Sequence, residues 1–313
     1  MIDICYYSGG LKKANLADLP KLKYSDVWID ATNISDMEAD VLNKHFNLHP
    51  LTIEDLKAHR TRIKVEAFPT YLFCVFYVIN PKNKAELLEL NLVLGKDYVI
   101  SNHITPLPFI SELKENKERL ETLFRKGPDF ILHKILDSEI SNYLPVLEGI
   151  GDEIERIEER IIVKPRKEQS SEILRIKKRI LKMRRSVMQQ RDKMAMLAKE
   201  EHSYISHKAI PYFRDIYDNS IRLVDMIDNE REAAASAYEI YISSLSNSVS
   251  EVMKALGLIA TIALPLTVIA GIYGTNFSVL PGAKFAYGFW VMIAMMSLLS
   301  IFMVLRFKKK GWL

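Results

Sequence analysis

A seam of small and hydroxyl-bearing residues recurs at a regular spacing near the C-terminus. Counted back in alternating steps of four and three, it consists of Gly271, Thr267, Leu264, Ala260, Gly257, Met253, Ser250, Ser246, Ser243 and Glu239. A period of about 3.5 residues keeps all of them on one face of a helix in a left-handed bundle. Such a face could line a narrow aqueous path, with apolar rings at Leu264 and Met253 that gate by excluding water. Thr267 and Ser250 would supply polar rings.

Two interpretations of the seam remain open. Small residues let helices approach closely in lipid, which predicts a dry contact between helices. Alternatively, the seam lines a lumen around a symmetry axis, which the serines favour because they continue beyond the apolar segment. A single helix of this kind cannot enclose a lumen, so the second interpretation requires a homo-oligomer.

Covalent chemistry finds no support in the residue pattern. No glycine-rich nucleotide motif and no Ser/His/Asp or Cys/His arrangement emerges, so we expect the protein not to be an enzyme. The two cysteines, Cys5 and Cys74, lie far apart in apolar stretches that resemble strands. We therefore predict buried free thiols in a reducing compartment.

Two apolar runs, 255–273 and 285–305, contain no charged residue, and the upper part of the seam lies in the first. Each is close to the ~20 residues that cross a ~30 Å hydrocarbon layer. Lys254 precedes the first run, and a basic tail follows the second at Arg306, Lys308, Lys309 and Lys310. Because basic flanks mark the cytoplasmic side, we predict a multi-pass protein of the inner cell membrane. Both termini would be cytoplasmic, and loop 275–284 would face outward.

The residues before these runs predict alternating strands and helices. Short β-branched, aromatic or leucine-rich stretches predict strands at 2–7, 27–30, 71–79, 87–94 and 98–101. A capping box at Ser35 and Glu38 predicts a helix to about Phe46, and a second helix is predicted over 108–125, ended by Gly127. The alternation indicates an α/β layer domain.

A long helix is predicted to begin near Pro211, a favoured first helical position. No proline follows before Pro265, so the helix can continue unbroken from the soluble part into the first apolar run. We therefore expect a cytoplasmic α/β domain with a charged helical hairpin over 1–210, a stalk helix over 211–254, and a transmembrane pair over 255–313.

The modest net charge of +4 conceals two oppositely charged segments. Residues 147–162 carry a net charge of −4, and residues 164–199 carry +10, with Pro165 in the turn between them. Two antiparallel helices of opposite sign would pair along their faces. Attraction of the basic helix to anionic lipid, or repulsion of cations as a regulatory device, remains an alternative. Nucleic acid is not expected as a partner, because the basic segment lacks aromatic residues.

Several segments resemble the CorA family of divalent-cation channels. The resemblance is carried by HPLTIEDL at 49–56, KVE at 64–66, YFRDIYD at 212–218, YISSLSN at 241–247, EVMK at 251–254 and PLTVIAGIYG at 265–274. These segments occur in the family's order and extend over most of the chain. The chain is therefore identified as a member of that family.

The resemblance implies an α+β membrane protein that assembles as a homopentameric funnel in the lipid bilayer. An N-terminal cytoplasmic α/β/α domain would continue through the stalk helix into the first, pore-lining transmembrane helix, with the second outside it. Family pore rings fall on seam positions Gly271, Thr267, Leu264, Met253 and Ser250. The family's outward Gly-Met-Asn motif corresponds to Gly274, Thr275 and Asn276.

This motif would receive hydrated Mg²⁺. Mg²⁺ dehydrates reluctantly, and a ring of Asn276 amide oxygens can accept hydrogen bonds from its waters without removing them. Gly274 would end the helix in a conformation that other residues dislike. No cofactor is expected apart from the transported and regulatory divalent cation, with Mg²⁺ as the first candidate.

The family also senses cytoplasmic Mg²⁺ through carboxylates between subunits. The matching positions are Asp55 and Asp215, with Glu54 and Asp218 beside them. Ion bridges there would hold a closed, symmetric state, and loss of the ions would release it.

Two departures from the family pattern keep other functions open. Thr275 replaces the family's methionine, and Leu280-Pro281-Gly282 replaces Met-Pro-Glu, so the outward loop has Lys284 as its only charge. The ZntB relatives carry Gly-Ile-Asn and handle Zn²⁺. A transporter of Zn²⁺, Co²⁺ or Ni²⁺, with or without proton coupling, is therefore one alternative, and a non-conducting sensor or scaffold is another.

Overall fold

The computed structural model describes residues 1–22, 26–199, 202–276, 280–282 and 285–312. The chain divides into two compact units. Unit 1 comprises Met1–Glu159 and Glu168–Tyr238, and unit 2 comprises Arg160–Lys167 and Glu239–Leu313.

Unit 1 is built on a mixed sheet. In the described ranges its strands are β1 Ile2–Tyr7, β2 Leu11–Ala14, β3 Asp26–Thr32, β4 Lys64–Ala67, β5 Tyr71–Ile79, β6 Leu87–Gly95 and β7 Tyr98–His103. Their order is β2-β1-β3-β7-β6-β5-β4. Only β3 and β7 are parallel among the described strand pairs.

Helices alternate with these strands and follow them along the chain. They are α1 Asp36–Phe46, α2 Pro50–Ala58, α3 Pro108–Glu115, α4 Lys117–Lys126, α5 Pro128–Ser141, α6 Leu144–Val163, α7 Lys167–Lys199, α8 Ile210–Tyr273 and α9 Gly288–Lys309. A 3-10 helix, Leu16–Leu22, precedes β3.

The register of the strands explains the core beneath α1 and α2. Phe73 lies opposite Val93, Val93 opposite Ile100, and Ile100 opposite Ile29, so four strands contribute one continuous apolar row. All four side chains are fully buried, in one cluster with Leu42 of α1. Burying each side chain of this kind contributes about 1.5–3 kcal/mol.

The capping box predicted at the start of α1 is confirmed. The Ser35 hydroxyl accepts from the Glu38 backbone N–H at 3.3 Å, and the Glu38 carboxylate accepts from the Ser35 N–H at 2.9 Å. The helix ends at Phe46 as predicted. The predicted strands are confirmed too, and three extend one to three residues further.

The sequence reading missed the two outermost strands, β2 and β4, and helix α2. Each of these strands has only four residues and carries exposed or half-exposed charged side chains. Short charged strands are common at sheet edges, where they discourage pairing with other chains, but they give no alternating pattern to detect.

The single helix predicted over 108–125 is wrong. Asn116 leaves helical geometry at φ −80° and ψ 82°, and its side chain accepts from the Arg119 N–H at 3.1 Å. The residue therefore ends α3 and caps α4, because a short amide side chain can replace a backbone acceptor. The predicted end at Gly127 is confirmed, with φ +125°.

The oppositely charged helices α6 and α7 meet in unit 1 at Arg179 and Glu153, where one guanidinium nitrogen bonds both carboxylate oxygens. Arg179 of α7 lies 2.8 Å from Glu153 of α6, as the charge pattern predicts. A second arginine of α7, Arg184, instead bonds Asp228 of α8 at 2.7 and 3.1 Å. The basic helix is therefore neutralised in part by α8, which the charge pattern alone did not indicate.

Helix α8 runs without interruption through Pro265, and it begins at Ile210, one residue before the predicted start. Its residues are shared between the two units, with the division after Tyr238. Cys5 and Cys74 are buried and free, as predicted. Burial raises the pKa of both thiols, so they are poor nucleophiles.

Candidate functional site

The upper seam lies in the apolar part of unit 2. Within the described ranges, α8 and α9 are the two helices long and apolar enough to cross a membrane. Each contains an 18-residue stretch with a mean hydropathy of 2.3. Neither of these apolar stretches is buried in the single chain, so they do not form the core of a soluble domain.

Helix α8 has two contrasting faces in this unit. The seam residues Ser246, Ser250, Met253, Gly257, Ala260, Leu264, Thr267 and Gly271 are all exposed. By contrast, Leu258 is buried, and Ile262, Pro265 and Ile269 are half-buried. At 100° per residue these two sets point about 140° apart. The chain therefore covers one face of α8 and leaves the seam on the other side uncovered.

Two hydroxyl groups of the seam donate inward, to the helix itself. Ser250 donates to the Ser246 carbonyl at 2.9 Å, and Thr267 donates to the Ala263 carbonyl at 2.9 Å. This pattern is usual for hydroxyls within apolar helices. Because each proton is already used, the oxygen lone pairs remain as acceptors on the exposed face.

The two glycines of the seam are not required by packing within the chain. A Cβ placed on Gly257 or Gly271 would meet nothing within 4 Å. At Gly274 the same Cβ would lie 3.1 Å from the Ala270 carbonyl oxygen, which is tighter than ordinary contact. Contacts within this chain therefore do not explain why glycine stands at positions 257 and 271.

Helix α8 ends close to the predicted Gly-Thr-Asn motif. Gly274 N–H donates to Ala270 at 2.9 Å, and the Thr275 hydroxyl donates to Ile272 at 2.8 Å. Gly274 is not among the residues with positive φ, so the expectation of a conformation reserved for glycine is wrong. Its close contact with Ala270 explains the absence of a side chain instead. Asn276 is exposed beyond this turn.

The described part of the following loop returns to the end of α8. The Tyr273 hydroxyl donates to the Pro281 carbonyl at 3.3 Å, and Gly282 turns at φ +78°. Leu280 is half-buried here. Lys284, predicted to be the loop's only charge, lies outside the described residues.

Of the predicted sensing carboxylates, Asp55 is already engaged in unit 1. It lies 2.8 Å from the Lys64 ammonium and accepts from the Thr61 hydroxyl at 3.0 Å. Lys64 also contacts Glu66 at 2.8 Å. Burial lowers the pKa of Lys64, but its bonds to the two carboxylates outweigh this and raise it.

The other three predicted carboxylates face solvent. Asp215 accepts from Asn219 at 3.3 Å, and Glu54 and Asp218 are exposed. Among the residues that the structure describes, no three His, Cys, Asp or Glu side chains are grouped to hold a metal ion. A sensing site between subunits therefore stays a prediction.

The sequence reading also missed a buried charge cluster in the sheet. Asp30 is 3% exposed and accepts from Ser101 at 2.6 Å and Lys114 at 2.8 Å, with His103 Nε2 at 3.1 Å. Burial raises the pKa of Asp30, but His103 and Lys114 outweigh it and lower the pKa. The signal was visible, since an aspartate stands inside the apolar strand β3.

This cluster does not have the geometry of a hydrolase triad. Ser101 donates to the aspartate itself and accepts from Trp28 Nε1 at 3.0 Å, so its hydroxyl is not held by the histidine. Trp28, Asp30, Ser101 and His103 are buried and Lys114 is half-buried. The cluster therefore ties β3, β7 and α3 together.

Comparison with known proteins places the whole chain in one group. The family model described as "CorA-like Mg2+ transporter protein" matches residues 25–309. The "Cobalt/magnesium transport protein CorA" of Thermotoga maritima is 34% identical over 293 residues, covering 91% of this chain and 83% of the relative. The "Putative metal ion transporter YfjQ" of Bacillus subtilis is 30% identical, covering 91% and 89%.

Solved structures support the same fold. The complete structure of the CorA magnesium transporter from Methanocaldococcus jannaschii superposes with a TM-score of 0.87 and 22% identity, covering 100% of this chain and 99% of that one. The predicted family and the predicted fold class are therefore confirmed: an N-terminal α/β domain leads into a long helix and two apolar helices at the C-terminus.

Proposed function

Because this chain belongs to the family of CorA-like Mg²⁺ transporter proteins, we propose that it is a channel for the influx of hydrated Mg²⁺ through a homopentameric pore. Its relatives and its two apolar helices make it a membrane-bound transporter of divalent cations. The family is one of transporters, and no covalent step enters the proposal.

The two-faced character of α8 carries the proposal. The chain covers the Leu258 face of the helix and leaves the opposite seam, from Ser246 to Gly271, exposed. Copies arranged around an axis would enclose a conduit with these seams. The number five comes from the family resemblance and not from the single chain.

The chemistry of the seam suits a cation that keeps its waters. Mg²⁺ gives up its hydration shell reluctantly. Ser250 and Thr267 present oxygen lone pairs that accept hydrogen bonds from those waters, because their own protons bond the helix. Rings of Leu264 and Met253 would close the conduit by dewetting and open it with a small widening.

Entrance of the ion is assigned to Asn276. The Thr275 hydroxyl is turned back onto Ile272, and the exposed Asn276 amide supplies a neutral acceptor beyond the helix end. No pump is needed, because a potential of −100 mV favours entrance by about 2.3 kcal/mol per charge, or about 4.6 kcal/mol for Mg²⁺.

Gating by cytoplasmic Mg²⁺ is proposed for Asp55 and Asp215 with their neighbours. A cation approaching Asp55 must share it with Lys64 or displace the lysine from its 2.8 Å contact. Such competition would make the site responsive only to high cytoplasmic concentrations, as a closing signal requires.

The test is ion flux into liposomes containing the purified full chain, compared for Mg²⁺, Co²⁺, Ni²⁺ and Zn²⁺. We expect Mg²⁺ influx that rises with an inside-negative potential and does not need a proton gradient. The channel assignment is abandoned if no ion moves under any gradient.

A second candidate is a transporter of another divalent ion. It is favoured by Thr275, which stands where the family has methionine, and by a relative named for cobalt as well as magnesium. Zn²⁺, Co²⁺ or Ni²⁺ flux that exceeds Mg²⁺ flux, or that depends on a proton gradient, would establish it.

A further inference from the structure

A group of buried polar side chains lies at the end of the sheet under the C-terminus of α2. Asn91 of β6 stands directly opposite Asn102 of β7, and both are 0% exposed. Glu89, two residues before Asn91 on the same face of β6, is 3% exposed. The Asn102 amide donates to the Leu56 carbonyl of α2 at 2.7 Å, which places the group beneath that helix end.

Most polar atoms of this group have no partner among the described residues. Neither Nδ2 nor Oδ1 of Asn91 makes a hydrogen bond, and the same holds for Asn102 Oδ1 and Glu89 Oε1. His59, which follows α2, has both ring nitrogens buried and unpartnered. The Asn91 amide is close enough to Glu89 to oppose the rise that burial causes in the pKa of that carboxyl, but the contact lacks hydrogen-bond geometry.

So many unsatisfied groups in one place are rare in native proteins. Buried amides and carboxyls nearly always have a partner, either in the protein or in ordered water. A buried water normally makes about three hydrogen bonds, and such waters are part of the fold. The atoms of Asn91, Asn102 and Glu89 could supply the donors and acceptors that such waters need.

We propose that this group is a binding site for ordered water, in which buried water molecules bridge Asn91, Asn102 and Glu89 beneath the end of α2. This proposal does not rest on the proposed transport function. It holds the segment that follows α2, because Thr61 N–H donates to the other Glu89 oxygen, Oε2. Thr61 in turn donates from its hydroxyl to Asp55, so the waters help to position that carboxylate.

The direct test is a structure of the full chain at a resolution that shows ordered water. We expect density peaks at hydrogen-bond distance, about 2.7–3.2 Å, from the Asn91 side chain and from Glu89 Oε1. Direct hydrogen bonds from Asn91 to other protein groups with no such peak would overturn the proposal. A peak at about 2.0–2.4 Å from the oxygens would also overturn it, since that distance marks a bound cation.

A pair of substitutions gives an independent readout in the thermal midpoint of the full chain. Asn91→Ala leaves room for water to continue bridging Glu89 and Asn102. Asn91→Leu fills that room and strands their oxygens without partners. We therefore expect the Leu variant to have the lower midpoint.

A dry site would give the opposite order, because a leucine, which has the same branched shape as asparagine, fills a core that an alanine leaves empty. Leu92→Ala, on the other face of the same strand, is the matched control. Leu92 is 0% exposed in an apolar setting, so its truncation must lower the midpoint. A higher midpoint for Asn91→Leu than for Asn91→Ala would count against the water site.

Discussion

In unit 1 the buried Asp30 meets Ser101, His103 and Lys114 within the same chain, whereas in unit 2 the seam of α8 stays exposed along its whole length. The sheet unit satisfies these buried charges with its own residues. The helical unit presents acceptor oxygens, open space at Gly257 and large apolar side chains that nothing in the chain covers. The difference teaches that unit 1 can be explained from one chain, whereas the proposed conduit needs further copies and a membrane.

The largest expected effect tests the self-sufficiency of unit 1. Phe73→Ala removes a fully buried ring from the central row of the sheet. We expect it to lower the free energy of unfolding by about 3–5 kcal/mol, because the cavity cannot collapse. Thermal unfolding of the detergent-solubilised chain would measure the loss.

Leu264→Ala is the matched truncation in the seam, where the side chain is 67% exposed. It should change stability by less than about 0.5 kcal/mol, as surface substitutions do, while increasing ion leak through the closed state. Equal stability losses at the two positions would erase the contrast between the units.

A second prediction concerns a buried acid in unit 1. Glu139 is 1% exposed, and burial raises its pKa well above the usual value, against the opposing effects of Gln190 and Tyr143. The folded state therefore holds a proton that the unfolded state releases. Stability should fall by about 1.4 kcal/mol per pH unit as the pH rises from the unfolded pKa to the folded pKa.

Glu139→Gln should remove this slope, because an amide does not ionise. The measurement is the thermal midpoint between pH 5 and pH 8 for the wild type and the variant. Glu153→Gln serves as the control, since Glu153 is a half-exposed partner of Arg179 and should leave the slope in place. An unchanged slope in the Glu139 variant would show that this carboxyl is not the buried acid responsible.

A third prediction sharpens the assignment in unit 2. Asn276→Ala removes the exposed amide beyond the end of α8, and we expect Mg²⁺ uptake to fall at least tenfold, about 1.4 kcal/mol. Asn247→Ala makes the same change within α8, away from the seam, and uptake should stay near the wild-type value. Selective uptake that survives in the Asn276 variant would remove this residue from the entrance.

The smallest effect is expected for the regulatory carboxylates. Asp55→Ala removes one of the two carboxylates that contact Lys64 and should raise the cytoplasmic Mg²⁺ concentration needed for closure a fewfold. Asp36→Ala is the control, because Asp36 bonds Lys57 at 2.7 Å on an exposed surface. The comparison needs a dose response of influx against internal Mg²⁺, and identical curves for both variants would exclude Asp55 from sensing.

Much of the fold could be predicted because local signals agreed with tertiary structure. The β5 range 71–79 and the capped helix α1 were predicted with their observed bounds, since a run of β-branched and aromatic residues and a capping box are both local signals. The sequence did not predict strands β2 and β4, because each has only four residues, two of them charged, and so short a stretch shows no alternating pattern. The break at Asn116 escaped because only the observed backbone shows its side chain replacing a helix acceptor.

The candidate site, like the fold, was predicted only in part from the sequence. The 3.5-residue period identified the seam, and the structure shows it exposed on one face of α8. The Lys64 contact of Asp55 was not predictable, because Lys64 is brought to the carboxylate only by the pairing of β4 with β5. The sequence predicted a special backbone conformation at Gly274. The structure shows instead that a Cβ there would lie close to the Ala270 carbonyl oxygen.

Pro265 leaves one backbone carbonyl without its helical hydrogen bond in the apolar segment of α8. It continues α8 but has no N–H, so the carbonyl of Thr261 loses the donor that the helix would otherwise supply. Hydrocarbon offers no substitute, and an unmet carbonyl there costs several kcal/mol. A donor from a neighbouring helix, a hydroxyl or a water molecule must therefore reach this one point of the backbone. Wherever that donor comes from, it fixes a polar contact halfway along an otherwise apolar segment.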